Sequence, residues 1–168
     1  TLPLTLFPYT TLFRSRSLKI GDGIKGANGN YVMDANPTPG RDNPRGVNVI
    51  GGGDGRNILL GTPANDTLTG GAHHDALIGR GGNDLLRGDG GNDSFVPWTS
   101  TKQENSTITI DGGWGLDRVY LNGEESSYTL RTCSSNSCRI DSKAGGRLNL
   151  KGVEMLVFQS SSRRLRDE

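Results

Sequence analysis

Four aspartates, Asp66, Asp75, Asp84 and Asp93, recur at a strict interval of nine, and each is followed two places later by a large apolar side chain: Leu68, Leu77, Leu86 and Phe95. Carboxylates at a fixed interval form a set of hard oxygen donors, which suits an alkaline-earth cation better than a soft transition metal. Divided in nines, the stretch reads GGDGRNILL (52–60), GTPANDTLT (61–69), GGAHHDALI (70–78), GRGGNDLLR (79–87) and GDGGNDSFV (88–96), with no insertion or deletion. Every unit opens with Gly, carries Asp or Asn in sixth place and puts an apolar residue eighth.

The elements that position these carboxylates follow from the same spacing. Glycines at the first, second and fourth places let the backbone turn through positive φ and approach itself closely. The three residues after each Asp form a short strand whose middle side chain faces inward. One unit is therefore a turn plus a strand, and two units make one coil with a strand in each of two facing sheets. Leu59, Leu77 and Phe95 are expected to stack in one sheet, and Leu68 and Leu86 in the other.

Stacked turns lie about 4.8 Å apart, so the carboxylates of units n and n+2 meet. The expected pairs are Asn57 with Asp75, Asp66 with Asp84, and Asp75 with Asp93; a degenerate copy, NPRGVNVIG (43–51), adds Asn48 with Asp66. Within 52–96 the acidic residues at 54, 66, 75, 84, 89 and 93 outweigh the basic ones at 56, 80 and 87, a local net of −3. A cation must offset that charge, and a flexible all-oxygen site favours Ca²⁺ over the more demanding Mg²⁺. The expected side-chain ligands are Asp66, Asp75, Asp84, Asp93 and Asn57. Gly52, Gly61, Gly70, Gly79, Gly81, Gly82, Gly88, Gly90 and Gly91 supply turns and carbonyls. The two all-carboxylate pairs are expected to be the best sites and Asn57 the weakest, while Ala64 and His73, in the fourth-glycine place, imply strained turns. The alternative is a turn-rich solenoid that binds no ion, but turn preference alone does not produce such phasing.

The units resemble the RTX (repeats-in-toxin, haemolysin-type) nonapeptide G-G-x-G-x-D-x-U-x, a calcium-binding repeat. The resemblance implies an all-β fold: a right-handed parallel β-roll over 43–96, closed by a C-terminal antiparallel β cap over 97–160. It also implies an extracellular, secreted protein exported unfolded, with a type I secretion apparatus as a partner. Two alternatives are a C-terminal piece of a secreted enzyme (protease, lipase or polysaccharide-active) and a piece of an adhesin or surface-layer protein. GGWGLDRVY (112–120) and LNLKGVEMLVF (148–158) resemble the β-rich segment that follows such arrays, although Lys151-Gly152 stands where Asn is usual. Asp117 matches the nonapeptide but lies out of phase, 24 residues after Asp93. A capping turn without a stacked partner is therefore expected there, with ion binding by Asp117 the lesser reading.

Beyond the array, residues 1–15 resemble an in-frame translation of a DNA-sequencing adapter, which would make the remainder a fragment of a longer protein. Residues 16–42 read as a loop-rich lead-in with one strand near Tyr31, and 161–168 as a disordered tail. Strands are expected at Thr107–Ile110, Arg118–Leu121 and Val153–Phe158, with a hairpin of Tyr128–Arg131 and Arg139–Asp141. At its tip Cys133 and Cys138 either pair or remain free thiols. Trp98 and Trp114 read as capping-core residues.

Composition points to a thin core: Gly is 26 of 168 residues and hydrophobic residues are 32%. Bound ions are expected to substitute for missing apolar burial. The formal charge of +1 gives no argument for nucleic acid, and no apolar run reaches the length of a membrane span. The two histidines, His73 and His74, have no further ligand to complete a transition-metal shell, and no nucleophile and base can be placed for catalysis.

Overall fold

The computed structural model describes residues 17–19, 31–34, 46–51, 55–98 and 105–165. Gly52, residues 1–15, most of the lead-in and the last three residues lie outside these. Strands β1 (Ser17–Lys19), β3 (Asn48–Ile50), β5 (Thr67–Gly71), β7 (Leu85–Asp89) and β9 (Thr107–Asp111) lie side by side in one sheet. β2 (Tyr31–Asp34), β4 (Asn57–Leu60), β6 (Ala76–Ile78), β8 (Ser94–Val96) and β10 (Arg118–Tyr120) lie in the other. All these neighbours pair in parallel, as a chain coiling between two sheets requires. The fold is the two-sheet β-roll expected from the nine-residue period.

Register puts one inward side chain of each strand directly above the next. In the first sheet Val49, Leu68, Leu86, Ile110 and Leu150 are successive partners, and in the second Leu59, Leu77, Phe95, Val119 and Leu156. All ten are buried in a single core. Each such side chain contributes about 1.5–3 kcal/mol of burial, so the ladder of apolar rungs sets the register as well as the stability.

The parallel coil runs further than the repeat. β9 and β10 continue it beyond Val96, as do β13 (Arg147–Lys151) on β9 and β14 (Met155–Val157) on β10. The antiparallel cap is therefore smaller than 97–160. It comprises the hairpin β11 (Tyr128–Cys133) and β12 (Ser137–Ser142), which joins β13, and β15 (Ser162–Arg164), which joins β14. Cys133 and Cys138 are disulfide-bonded across the hairpin tip. These strands occupy the sheet edges at this end, which would otherwise offer unpaired N–H and C=O groups.

Three expectations need correction here. The supposed tail contains β15, whose Arg163 aligns with Leu156. Asn48 aligns with Thr67 instead of Asp66, because the degenerate copy is one residue out of step. Trp98 is buried and its indole N–H donates to Ser106 Oγ at 2.8 Å, but Trp114 is 86% exposed and is no core residue.

Candidate metal centre

The residues at the sixth place stack in two columns, one at the turns entering each sheet. At the turns entering the second sheet the column is Asn57, Asp75, Asp93 and Asp117. The Asn57 N–H donates to Asp75 Oδ1 at 2.6 Å, the Asp75 N–H to Asp93 Oδ1 at 2.7 Å, and the Asp93 N–H to Asp117 Oδ1 at 2.8 Å. The Asp117 N–H in turn donates to Glu154 Oε2 at 2.7 Å. Each carboxylate thus spends one oxygen tying its turn to the turn before it, while the main-chain carbonyl of the same Asp accepts from the following strand, as Asp75 does from Ser94.

The second oxygens are the informative ones. Oδ2 of Asp75, Asp84 and Asp93 is buried without a hydrogen-bond partner, as is Oδ1 of Asn57. A buried polar atom left in that state costs free energy unless something else meets it. Oδ2 of each of these three aspartates points at the opening glycine of its own turn. A Cβ placed on Gly70 would meet Asp75 Oδ2 and would lie 2.8 Å from the Gly88 carbonyl, and one on Gly79 would meet Asp84 Oδ2 and lie 2.8 Å from the Pro97 carbonyl. Glycine leaves a hollow bounded by a carboxylate oxygen of one turn and a carbonyl oxygen of the next. This donor set, all oxygen and with one carboxylate per turn, fits Ca²⁺. Among the described residues no three Asp, Glu, His or Cys side chains converge on one point, so carbonyls must complete any shell.

Electrostatics agree with that assignment. Burial raises the pKa of Asp66 and of Asp75 above the ordinary carboxylate value. Burial lifts Asp84 to about 8, with Asp66 adding to the rise, and lifts Asp93 to about 7, with Asp117, Asp75 and Asp89 adding. Desolvated like charges in a column disfavour the ionised form. Ca²⁺, when bound, supplies the opposing charge.

A model of the RTX calcium-binding nonapeptide repeat, four copies, matches residues 51–86 and 74–96. Residues 51–96 are an RTX calcium-binding array. RTX repeats bind Ca²⁺, and the matched family is a binding repeat, not a catalytic domain. No curated protein matches the chain. Among solved structures it is similar to the extracellular lipase LipA from Serratia marcescens, at 21% identity and a TM-score of 0.31, over 66% of this chain and 15% of that protein. Among the described residues no helix is long and apolar enough to cross a membrane.

The two columns of the RTX array are not equivalent. At the turns entering the first sheet the Asp66 N–H donates to Asp84 Oδ1 at 2.9 Å, which brings the expected pair together. Here, however, the Thr62 N–H donates to Asp66 Oδ2 at 2.5 Å, and Arg80 donates to the Gly61 carbonyl at 3.3 Å. Protein donors already occupy oxygens that the other column leaves open. Val47, not Asn48, donates its N–H to Asp66 Oδ1, at 2.8 Å, so the pair of Asn48 with Asp66 does not form. Gly51 holds the opening-glycine place beside Asn57 and the Gly70 carbonyl.

Other local expectations also shift. Neither Ala64 nor His73 has positive φ; the non-glycine residues of the array that do are Arg80 (77°) and Asp89 (70°), both in second place. Strain therefore falls one glycine earlier than expected. Asp117 does have a stacked partner: although 24 residues separate them, the Asp93 N–H donates to Asp117 Oδ1 and the two turns stay in line.

A second ladder escaped the sequence reading. The fifth-place side chains accept main-chain N–H groups from the next turn, Asn65 from Asn83 at 2.8 Å, Asn83 from Thr107 at 2.6 Å and Asn92 from Leu116 at 2.9 Å. His74 does the same through Nδ1, accepting from Asn92 at 2.6 Å. The signal in the sequence is the recurrent Asn before Asp, at Asn65, Asn83 and Asn92.

Proposed function

We propose that this chain is a calcium-coupled folding module of an exported protein, ordering where Ca²⁺ is plentiful outside the cell and remaining unfolded where it is scarce. The observation that carries this is the row of orphan Oδ2 atoms on Asp75, Asp84 and Asp93, each aimed into a glycine hollow. Asp75 and Asp93 hold the ion between their turns with the carbonyl of Gly88; Asp84, with Asp66, serves the other column. Without a cation the buried carboxylates and the entropy of a glycine-rich backbone oppose ordering, so binding and folding become one event. External calcium modules typically work at about 10⁻⁴–10⁻³ M, the range in which export precedes folding. An RTX array of this kind supports passage through a type I secretion apparatus in the unfolded state.

The test is a calcium titration of the full chain followed by far-UV circular dichroism. The β signal should rise cooperatively with Ca²⁺ and be lost in excess chelator. An equally ordered signal with chelator and with calcium overturns the proposal.

A further inference from the structure

The turn at 112–117 reproduces the backbone of an array turn although it lies outside the matched repeat. Gly113 and Gly115 have φ of 97° and 136°, in the places where Asp89 and Gly91 have 70° and 110°. The two turns are bonded throughout: the Trp114 N–H donates to the Asp89 carbonyl at 2.9 Å, the Gly91 N–H to the Trp114 carbonyl at 2.9 Å, and the Arg118 N–H to the Asp93 carbonyl at 2.9 Å. Asp93 and Asp117 are both fully buried and are linked by the same N–H to Oδ1 bond as the pairs within the array.

The hollow between these turns has the same walls as those of the array. A Cβ on Gly88 would meet Asp93 Oδ2 and the Gly112 carbonyl, and one on Gly112 would meet Asp117 Oδ2 and the Gly152 carbonyl. Asp93 Oδ2 has no hydrogen-bond partner. Arg118, the basic residue beside Asp117, donates to the Leu116 carbonyl at 3.3 Å. Glu154 accepts from the Asp117 N–H and carries the column of carboxylates one turn further.

We propose that Ca²⁺ binds a further time between turns 88–93 and 112–117, held by Asp93 and Asp117 with the Gly112 carbonyl, beyond the nonapeptide array. This rests on the calcium reading of the array. The site clamps the last coil of the repeat to the first coil of the segment that follows, so the metal-dependent unit extends through β10. More carboxylates meet there than at the Asn57 turn, and binding is correspondingly tighter.

Calorimetric calcium titration of the full chain and of Asp117→Asn tests it, because Asn keeps the Oδ1 acceptor for the Asp93 N–H while removing the charge. The variant should bind one ion fewer and still order with calcium. Terbium provides a second readout: Trp114 lies in the site's own turn, so tryptophan-excited Tb³⁺ emission should fall in Trp114→Phe while the number of calcium ions bound stays the same. If Asp117→Asn fails to order, the terbium readout of Trp114→Phe, altered only at an exposed side chain, decides alone. Unchanged stoichiometry in Asp117→Asn or unchanged terbium emission in Trp114→Phe overturns the site. A wild-type chain that binds no calcium at all overturns the proposed function as well.

Discussion

The main-chain N–H of Asp75 lies 2.7 Å from Oδ1 of Asp93, 18 residues on, and Oδ2 of the same Asp93 is buried without a hydrogen-bond partner. One carboxylate therefore does two jobs, tying two turns together and facing the hollow where a cation fits. Asp93→Ala removes both and leaves a buried N–H unsatisfied. Loss of a charge-assisted hydrogen bond costs about 1.5–3 kcal/mol, so the calcium midpoint by circular dichroism should rise about tenfold or more. Asn57→Ala keeps the Asn57 N–H bond to Asp75 and should shift the midpoint less, with Asp84→Ala nearer to Asp93→Ala. Equal shifts in all three would contradict this order.

Calcium affinity should depend on pH near neutrality. Burial lifts Asp84 to about 8 and Asp93 to about 7, whereas unfolded carboxylates titrate near 4. In the metal-free ordered state these groups hold protons that the unfolded chain has released, so metal-free stability falls as pH rises from about 4 to about 8. The bound ion requires the ionised form, so apparent calcium affinity should rise over the upper part of the same window and level off above it, with protons released on binding. Titrations at pH 6, 7, 8 and 9 and proton release in weak buffer check both signs. A flat affinity from pH 6 to 9 would show that the carboxylates are already ionised without metal.

Much of the roll was legible because one interval encodes two things at once. The nine-residue spacing places Leu59, Leu77 and Phe95 in one sheet and Leu68 and Leu86 in the other, and brings Asp66 to Asp84 and Asp75 to Asp93. What the interval hid was any coil whose turns differ in length. Asp117 fell out of phase although its turn stacks directly on that of Asp93, and Val47 took the place expected for Asn48 through a single-residue slip. Side chains that satisfy donors within the turns were equally hidden. Thr62 and Arg80 look like ordinary turn residues, yet they decide that the Asp66 column is less open than the Asp93 column.

The apolar ladder and the ions should share the load unequally. Phe95 is fully buried between Leu77 and Val119 in the second sheet. Phe95→Ala should cost about 3–5 kcal/mol in the calcium-saturated state, read as a lower urea midpoint, because the rungs on either side cannot close the gap while their strands stay in register. Leu60→Ala, at a partly exposed position of β4, should cost much less. A small loss at Phe95 would mean that bound ions, and not the core, hold the coil together.

Glycine at the opening place of a turn should be required for the space it leaves. A Cβ on Gly70 would collide with Asp75 Oδ2 and stand 2.8 Å from the Gly88 carbonyl, inside the hollow itself, whereas a Cβ on Gly90 would meet nothing nearer than 3.7 Å. Neither glycine has positive φ, so Ala at either position suffers no left-handed penalty and the two substitutions differ mainly in what the methyl group displaces. Gly70→Ala should therefore remove one calcium ion from the calorimetric stoichiometry, or raise the midpoint of the titration at least tenfold, while Gly90→Ala leaves both close to wild type. Similar losses in both variants would place the role of these glycines in backbone flexibility. Loss confined to Gly70→Ala ties calcium binding to the hollow between Asp75 and the next turn.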